Sequence, residues 1–195
     1  MKRFLIELIG TFFLTLAIAL TGNPLCYGLI FAAVNYLGAH ISDGYYNPAV
    51  TVALCLHGKH KKDHMLHLLF GQLAGAMLAL FLSMRATGQG FALPADASRI
   101  SMACLSEILL TFLLCAVILS INAQKIKEVG GLVIGFTLMG LGYIGGMFNP
   151  AISFASQLLN VSQGNGFDVN SMLVYFICPL IGGALAAITF KHYQE

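Results

Sequence analysis

Long apolar segments recur six times along the chain, separated by short polar stretches. Their approximate bounds are 4–21, 25–42, 65–85, 101–122, 129–146 and 171–190. A helix that crosses a bilayer needs about 20 mostly apolar residues, and each segment comes close to that length. Two further apolar pieces, 49–56 and 151–159, are too short to cross. The pattern predicts an all-α transmembrane protein with six membrane-spanning helices and two re-entrant half-helices.

The composition narrows the class of protein. Of the 195 residues, 58% are hydrophobic and only 9% are charged, and the mean hydropathy is +0.83. Soluble domains carry about 25% charged residues. The few charged residues of this chain could not shield so much apolar surface from water. A soluble enzyme and a disordered chain are therefore excluded. The net charge of +2 is too small to indicate a nucleic-acid partner, so the lipid bilayer is the expected surrounding.

The basic residues predict the orientation. Eight of the ten lysines and arginines fall on one side of six alternating spans, namely Lys2, Arg3, Lys59, Lys61, Lys62, Lys125, Lys127 and Lys191. Cytoplasmic loops are enriched in Lys and Arg, so both termini are expected in the cytoplasm. The short loops are typical of a prokaryotic inner-membrane protein.

The chain repeats itself. Segment 7–14 (ELIGTFFL) is matched 100 residues later by 107–114 (EILLTFLL), and 47–51 (NPAVT) is matched 102 residues later by 149–153 (NPAIS). Matches in the same order indicate an internal duplication. We expect one domain over 1–195.

The repeats cover approximately 1–86 and 99–195, joined by an outer loop. Each contains three spans, an odd number, so the second repeat enters the membrane from the opposite face. Such inverted repeats place the functional site near the bilayer midplane.

Each short segment begins with Asn-Pro-Ala, at Asn47-Pro48-Ala49 and Asn149-Pro150-Ala151. Asn is a good N-cap and Pro is favoured at the first helical position, so each motif starts a half-helix. The two N-termini should meet in the membrane, and each carries about half a positive charge, which repels cations and protons. The Asn amides can donate hydrogen bonds to a neutral molecule.

Irregular backbone is predicted before each motif, at 40–46 and 143–148. Such backbone survives at membrane depth only where it is buried or lines a watery cavity. Free carbonyls from these stretches can replace the hydration of a passing molecule. The expected pore-lining carbonyls belong to Gly44, Tyr45, Tyr46, Met147 and Phe148.

Other candidate chemistry is sparse. Glu7 and Glu107 are ionisable residues inside apolar spans, which by default suggests a function such as a proton relay. The five cysteines form no CxxC pair and are interpreted as small core residues. No metal site or cofactor is expected.

Taken together, these residues resemble the aquaporin and glycerol-facilitator family. The resemblance covers nearly the whole chain and is carried by Glu7 with Gly10-Thr11, Tyr27-Gly28-Leu29, His40-Ile41-Ser42, Asn47-Pro48-Ala49, Gln72 with Gly75-Ala76, Glu107 and Asn149-Pro150-Ala151. It implies a passive six-helix pore without enzyme activity, usually four per homotetramer, in which each protomer conducts. It also implies that Glu7, Glu107 and His40 brace the half-helix loops.

The resemblance places a four-residue selectivity filter on the outer side of the pore. Counting from the two motif asparagines assigns it to Tyr27, Thr137, Gly146 and Ile152. If the loop before Asn149 is shortened, Gly142 takes the place of Thr137.

Water-selective members resemble each other in carrying Arg where this chain has Ile152 and His where it has Thr137. The loss of a fixed cation predicts a wider, less polar filter. The expected solutes are water and small neutral molecules: glycerol, urea, hydrogen peroxide or ammonia.

Three other hypotheses have different signatures. A proton- or ion-coupled secondary transporter also uses inverted repeats but needs an ionisable group at the midplane. The stretch 129–167 has none, and the first half offers only Asp43 and His40 near its loop. A membrane enzyme would need paired carboxylates, an activated nucleophile or a metal cluster, and the sequence contains no such constellation. A non-conducting relative would pass no solute at all.

Overall fold

The computed structural model describes residues 1–58, 62–93, 95–124 and 128–192, and over these ranges its regular elements are helices. In chain order they are α1 (Lys2–Thr21), α2 (Pro24–Ser42), α3 (Pro48–Leu56), α4 (Lys62–Thr87), α5 (Ile100–Gln124), α6 (Gly130–Ile144), α7 (Pro150–Ser162), α8 (Val169–Met172) and α9 (Cys178–His192). A short 3₁₀ turn, Ala97–Arg99, leads into α5.

Five segments in the described part of the chain are long and apolar enough to cross a membrane: Lys2–Thr21, Pro24–Ser42, Met65–Thr87, Ala97–Gln124 and Val169–Lys191. The predicted span 129–146 is shorter in the structure, because α6 has only 15 residues. It ends where Gly145 (φ 107°) and Gly146 (φ 146°) turn the chain, a backbone that only glycine adopts without strain.

The two half-helices begin at the prolines of the repeated motifs, so α3 starts at Pro48 and α7 at Pro150. The irregular stretch before α3 is shorter than predicted, since α2 continues to Ser42. The last residue before each motif has left-handed backbone, with φ 53° at Tyr46 and φ 55° at Phe148. The two loops therefore turn into their half-helices in the same way.

Helix packing follows the repeat. Within the first half α1 packs on α4, and within the second α5 packs on α9. A Cβ on Gly75 would overlap the carbonyl oxygen of Leu8, and one on Gly182 would overlap that of Ile108. The absence of a side chain therefore allows the same close crossing in each half.

The two halves contact each other most extensively where α2 packs on α6. Gly28 and Gly135 face each other there, and a Cβ on Gly28 would lie 2.6 Å from the carbonyl oxygen of Gly135. This crossing joins the two helices that precede the half-helices along the chain.

The sixth predicted span, 171–190, is made of α8, a π-helical stretch (Leu173–Ile177) and α9. Four of the lysines on which the predicted orientation rests, Lys59, Lys61, Lys125 and Lys127, lie outside the described residues.

Candidate functional site: a cavity at the meeting point of two half-helices

The asparagines of the two motifs cap the half-helices. Asn47 Oδ1 accepts a 2.9 Å hydrogen bond from the backbone N–H of Ala49, and Asn149 Oδ1 accepts one of 3.1 Å from that of Ala151. Both asparagines are 4% exposed. Each cap fixes the orientation of its amide, so that the Nδ2 group points away from the half-helix it caps.

Those Nδ2 groups bind the opposite half of the chain. Asn47 Nδ2 donates to the carbonyl of Phe148 at 2.7 Å, and Asn149 Nδ2 donates to the carbonyl of Tyr46 at 2.8 Å. The left-handed backbone at Tyr46 and Phe148 turns these carbonyls toward the partner motif. The contacts fix the two half-helix N-termini end to end.

A buried glutamate holds the loop before each motif. Glu107 accepts hydrogen bonds from the backbone N–H groups of Met147 (2.6 Å) and Phe148 (2.9 Å). Glu7 accepts from the backbone N–H groups of Tyr45 (3.2 Å) and Tyr46 (2.8 Å). Each carboxylate thus bonds the backbone one and two residues before the motif asparagine.

The first-half glutamate has two more partners. The Ser42 hydroxyl and the Gln72 amide each donate to Glu7 at 2.7 Å, and Gln72 also donates to Thr51 at 2.9 Å. His40 is an exposed residue near the end of α2, so the polar side chain of this turn that contacts Glu7 is Ser42. The sequence signal for Ser42 was its position within the His40-Ile41-Ser42 stretch.

A cavity of about 250 Å³ lies beside the meeting half-helices. Its lining is Leu14, Ile18, Gly22, Tyr27, Phe31, Tyr45, Asn47, Val50, Phe91, Leu114, Ile118, Ile134, Leu138, Gly142, Gly146, Met147, Phe148 and Asn149. The structure therefore brings both motif asparagines together with Tyr27, Gly146, Tyr45, Met147 and Phe148. Exposed Gly22 and Gly146 connect the cavity with the surface at what we call its outer end.

At the outer end, α6 contributes Gly142 rather than Thr137. The cavity face of α6 is Ile134, Leu138 and Gly142, at the four-residue spacing of one helix face. Thr137 lies off this face, and its hydroxyl donates to the carbonyl of Val133 in its own helix at 2.8 Å. A side chain at Gly142 would occupy the position of the Tyr27 hydroxyl.

Ile152 does not line the cavity. It is 0% exposed and packs in an apolar cluster with Ala76, Leu80 and Ala155. Phe91 and Met147, which border the cavity, pack against this cluster. An apolar side chain at this position is drawn into the protein interior, and Phe91 and Met147 form the wall there instead.

Several of the predicted pore carbonyls already accept hydrogen bonds. The Gly44 carbonyl accepts from Asn35 Nδ2 at 2.9 Å, and those of Tyr46 and Phe148 accept from the motif asparagines. Gly44 and Tyr46 lie outside the cavity lining. These carbonyls, which were predicted to line the pore, therefore also accept hydrogen bonds that hold the loop backbone in place.

The electrostatics of the cavity come from dipoles rather than charges. None of its lining residues is charged. Within the described ranges, no group of three or more His, Cys, Asp and Glu could hold a metal ion. The two half-helix N-termini each present the positive end of a helix dipole to the cavity.

Comparison with known proteins identifies the family of this chain. The model of the family described as Major intrinsic protein matches residues 17–190. The chain belongs to the major intrinsic protein family. It is an integral, multi-pass membrane protein, and members of this family are channels rather than enzymes.

Relatives of this major intrinsic protein come from distant organisms. It is 32% identical to a "Glycerol uptake facilitator protein-like 6" of Lactiplantibacillus plantarum, over 96% of this chain and 95% of that protein. It is 29% identical to an "Aquaporin AqpM" of Methanothermobacter thermautotrophicus, over 98% and 96% of the two chains.

The fold is also that of a solved channel. The X-ray structure of the aquaglyceroporin from Plasmodium falciparum superposes with a TM-score of 0.84, at 20% sequence identity, over 97% of this chain and 95% of that chain. The all-helical architecture with two half-helices is therefore that of the aquaporin fold.

Proposed function

We propose that this protein is a passive channel for water and small neutral solutes, with glycerol, urea, hydrogen peroxide and ammonia as candidate solutes. The observation that carries the proposal is the uncharged lining of the cavity, whose polar side chains, among the residues that the structure describes, are those of Tyr27, Tyr45, Asn47 and Asn149. A neutral solute loses little by leaving water for such a path, whereas an ion loses its hydration shell.

Cation and proton exclusion rests on the two half-helix ends. Each contributes about half a positive charge, and at about 4 Å with an effective dielectric constant of about 20 the pair opposes a monovalent cation by about 4 kcal/mol. That is a discrimination of roughly 10³-fold, since about 1.4 kcal/mol corresponds to tenfold. No charged filter side chain is needed for exclusion of this size.

The outer constriction is formed by the Tyr27 hydroxyl, Gly142, Gly146, Met147 and Phe91. It offers one phenolic hydroxyl and apolar walls, which suits solutes that expose few hydrogen-bonding groups at a time. The withdrawal of Ile152 from the wall supports passage of molecules larger than water.

The assembly and orientation are part of the same proposal. Two inverted repeats form a single channel domain, both termini lie in the cytoplasm, and the protein is a homotetramer in a prokaryotic inner membrane. The outward-facing leucines of α1 and α5, such as Leu5 and Leu109, are about half exposed in the protomer, as expected for surfaces that meet lipid or another protomer.

The test is stopped-flow light scattering of proteoliposomes after an osmotic step. Shrinkage well above that of empty liposomes with an impermeant osmolyte establishes water flux, and re-swelling with glycerol or urea establishes solute flux. A coupled secondary transporter would instead require a proton or ion gradient for uptake. Background rates for every solute would overturn the channel.

A further inference from the structure

One residue of the cavity wall comes from outside the duplicated helices. Phe91 belongs to the outer loop that joins the two repeats, between α4 and the 3₁₀ turn, and it lines the cavity. Among the described lining residues it is the one that this loop contributes. The loop occurs once in the chain, whereas the repeats supply their residues in pairs. The duplication therefore provides no counterpart of Phe91 at the other end of the cavity.

The pseudo-symmetry of the repeats assigns the place of Phe91 to another side chain. Val50 stands three residues after Asn47 and lines the cavity. Its counterpart, three residues after Asn149, is Ile152, which is 0% exposed and lies outside the lining. Phe91 packs against the cluster that contains Ile152 and also borders the cavity. Phe91 therefore separates Ile152 from the cavity and takes over its part of the wall.

Hydrogen bonds hold this part of the outer loop in position. The carbonyl of Phe91 accepts a 2.8 Å hydrogen bond from the hydroxyl of Ser156. Ser156 is 1% exposed and lies on α7, one helical turn beyond Ile152. Two residues further along the loop, the carbonyl oxygen of Leu93 lies 2.5 Å from the hydroxyl of Ser171. The backbone from which the Phe91 side chain projects is thus fixed to the second repeat.

The chemistry of this wall disfavours one class of solute. The phenyl ring of Phe91 carries no hydrogen-bonding group, and the thioether of Met147 is only a weak acceptor. The Tyr27 hydroxyl is the polar side-chain group of the outer constriction. A solute with several hydroxyl groups must leave some of them without a partner here, and an unpaired polar group out of water is costly. A solute with one or two heavy atoms meets a smaller penalty.

We propose that Phe91 is a specificity-determining residue of the outer constriction, where it replaces Ile152 in the wall and disfavours polyols relative to water and other solutes of one or two heavy atoms. The inference rests on the proposed channel function and deepens it by ranking the candidate solutes. It also makes Ser156 a positioning residue, because Ser156 acts through the backbone of Phe91.

The experiment measures the ratio of glycerol to water permeability in proteoliposomes for the wild type, Phe91→Ala and Phe91→Ser. Removal of the ring should raise this ratio in both variants. Ala and Ser differ by one hydroxyl group, which gives glycerol one further partner. Phe91→Ser should therefore exceed Phe91→Ala by about 2- to 12-fold, the equivalent of one net hydrogen bond.

Ser156→Ala tests the positioning of Phe91. Loss of the bond to the Phe91 carbonyl should raise the ratio by less than Phe91→Ala does. In a Phe91→Ala background the same change should leave the ratio unaltered, because the side chain that Ser156 positions is gone. A purely structural role of Ser156 would lower stability equally in both backgrounds without moving the ratio.

Phe136→Ala is the matched control, because Phe136 is 56% exposed on α6 and lies outside the lining. Its permeability ratio should equal that of the wild type. Size-exclusion chromatography and circular dichroism check folding. If Phe91→Ala does not fold, Phe91→Leu keeps the apolar packing with a shorter side chain and should raise the ratio by a smaller factor.

The outcomes separate this inference from the proposed function. If the wild type conducts water and the Phe91 variants keep its glycerol-to-water ratio, the channel stands and the role of Phe91 is refuted. An equal rise for both solutes would also refute it, since Phe91 would then obstruct without selecting. If neither the wild type nor any variant exceeds empty liposomes, the channel function itself fails, and the inference fails with it.

Discussion

Substitution of Gly142 tests the geometry of the outer constriction. In the structure, a Cβ added at Gly142 would overlap the hydroxyl of Tyr27 and approach Pro24 Cβ at 3.0 Å. Gly142 lies inside α6, where Ala is intrinsically more favourable than Gly by about 1 kcal/mol, so the helix itself tolerates Gly142→Ala. The added methyl group therefore acts mainly by pushing the Tyr27 phenol into the cavity.

The size of the effect follows from packing. Insertion of a methyl group into a filled site costs about 1–3 kcal/mol. If a passing solute has to push the displaced phenol back against that methyl group, the same cost is added to the barrier. At about 1.4 kcal/mol for each factor of ten, permeability should fall about 5- to 140-fold.

The assay is the osmotic response of proteoliposomes at matched protein density, with Thr137→Ala as the control. Thr137 lies off the cavity face and its hydroxyl donates to a carbonyl of its own helix, so Thr137→Ala should leave water permeability unchanged. In a Tyr27→Leu background, Gly142→Ala should have no further effect, because the overlapping atoms are gone. The reasoning is refuted if Thr137→Ala alters flux and Gly142→Ala does not.

Three further predictions concern charge and loop anchoring. Asn149→Asp places a carboxylate at the meeting point of the half-helices and should produce a cation current in planar bilayers, and an unchanged, silent bilayer would contradict the dipole explanation of exclusion. Glu107→Gln turns a donor toward a backbone N–H group and removes a charge-assisted bond of about 1.5–3 kcal/mol, so the unfolding temperature in detergent should fall; an unaltered midpoint would argue against the brace. Outside the membrane, hydrogen bonds donated by the Ser171 hydroxyl and by nearby backbone N–H groups hold the pKa of Asp168 below its usual range. That stabilisation is fully present well above the usual Asp pKa of about 3.9 and is lost as the pH falls through the lowered pKa, so the thermal midpoint should fall less on acidification for Asp168→Asn than for the wild type.

The sequence was most informative where residue type alone dictates local structure. Pro is favoured in the first turn of a helix and costly further inside, and Asn is a good N-cap, so the starts of α3 and α7 follow directly from the two Asn-Pro pairs. The ends of elements were harder to predict. Whether α2 stops at His40 or Ser42 depends on the contacts of Ser42 with Glu7, which no local pattern encodes.

The face of α6 shows why counting from a motif is unsafe. The count from Asn149 assumes a fixed loop length, and it points to Thr137. An alignment through the crossing glycines Gly28 and Gly135 points elsewhere, because it pairs Tyr27 with Ile134 and Phe31 with Leu138, all of which line the cavity. One turn further that register reaches Gly142, so the helix crossing carries the information that the motif count lacks.

The second repeat also differs from the first in the hydrogen bonds around its half-helix, a difference that the composition does not reveal. By the register of Gly75 and Gly182, Pro179 replaces Gln72, which in the first half bridges Glu7 and Thr51. Pro has no N–H to donate, and the turn before α9 widens into the π-helical stretch Leu173–Ile177. The Ser153 hydroxyl, the counterpart of Thr51, consequently has no protein partner among the described residues.

The crossed bonds between the asparagines and the opposite loops bear on how such a chain could arise. Asn47 donates to the loop carbonyl of the second half and Asn149 to that of the first, so neither half supplies the donor for its own loop carbonyl. A half-length ancestor could form both bonds only in a dimer with a second copy inserted in the reverse orientation. A two-fold axis would relate the two copies, so both bonds would form between the same asparagine and the same carbonyl. Fusion of two such copies into one chain removes the need for a single sequence to insert in both orientations. After the fusion, each of the two asparagines can mutate independently of the other.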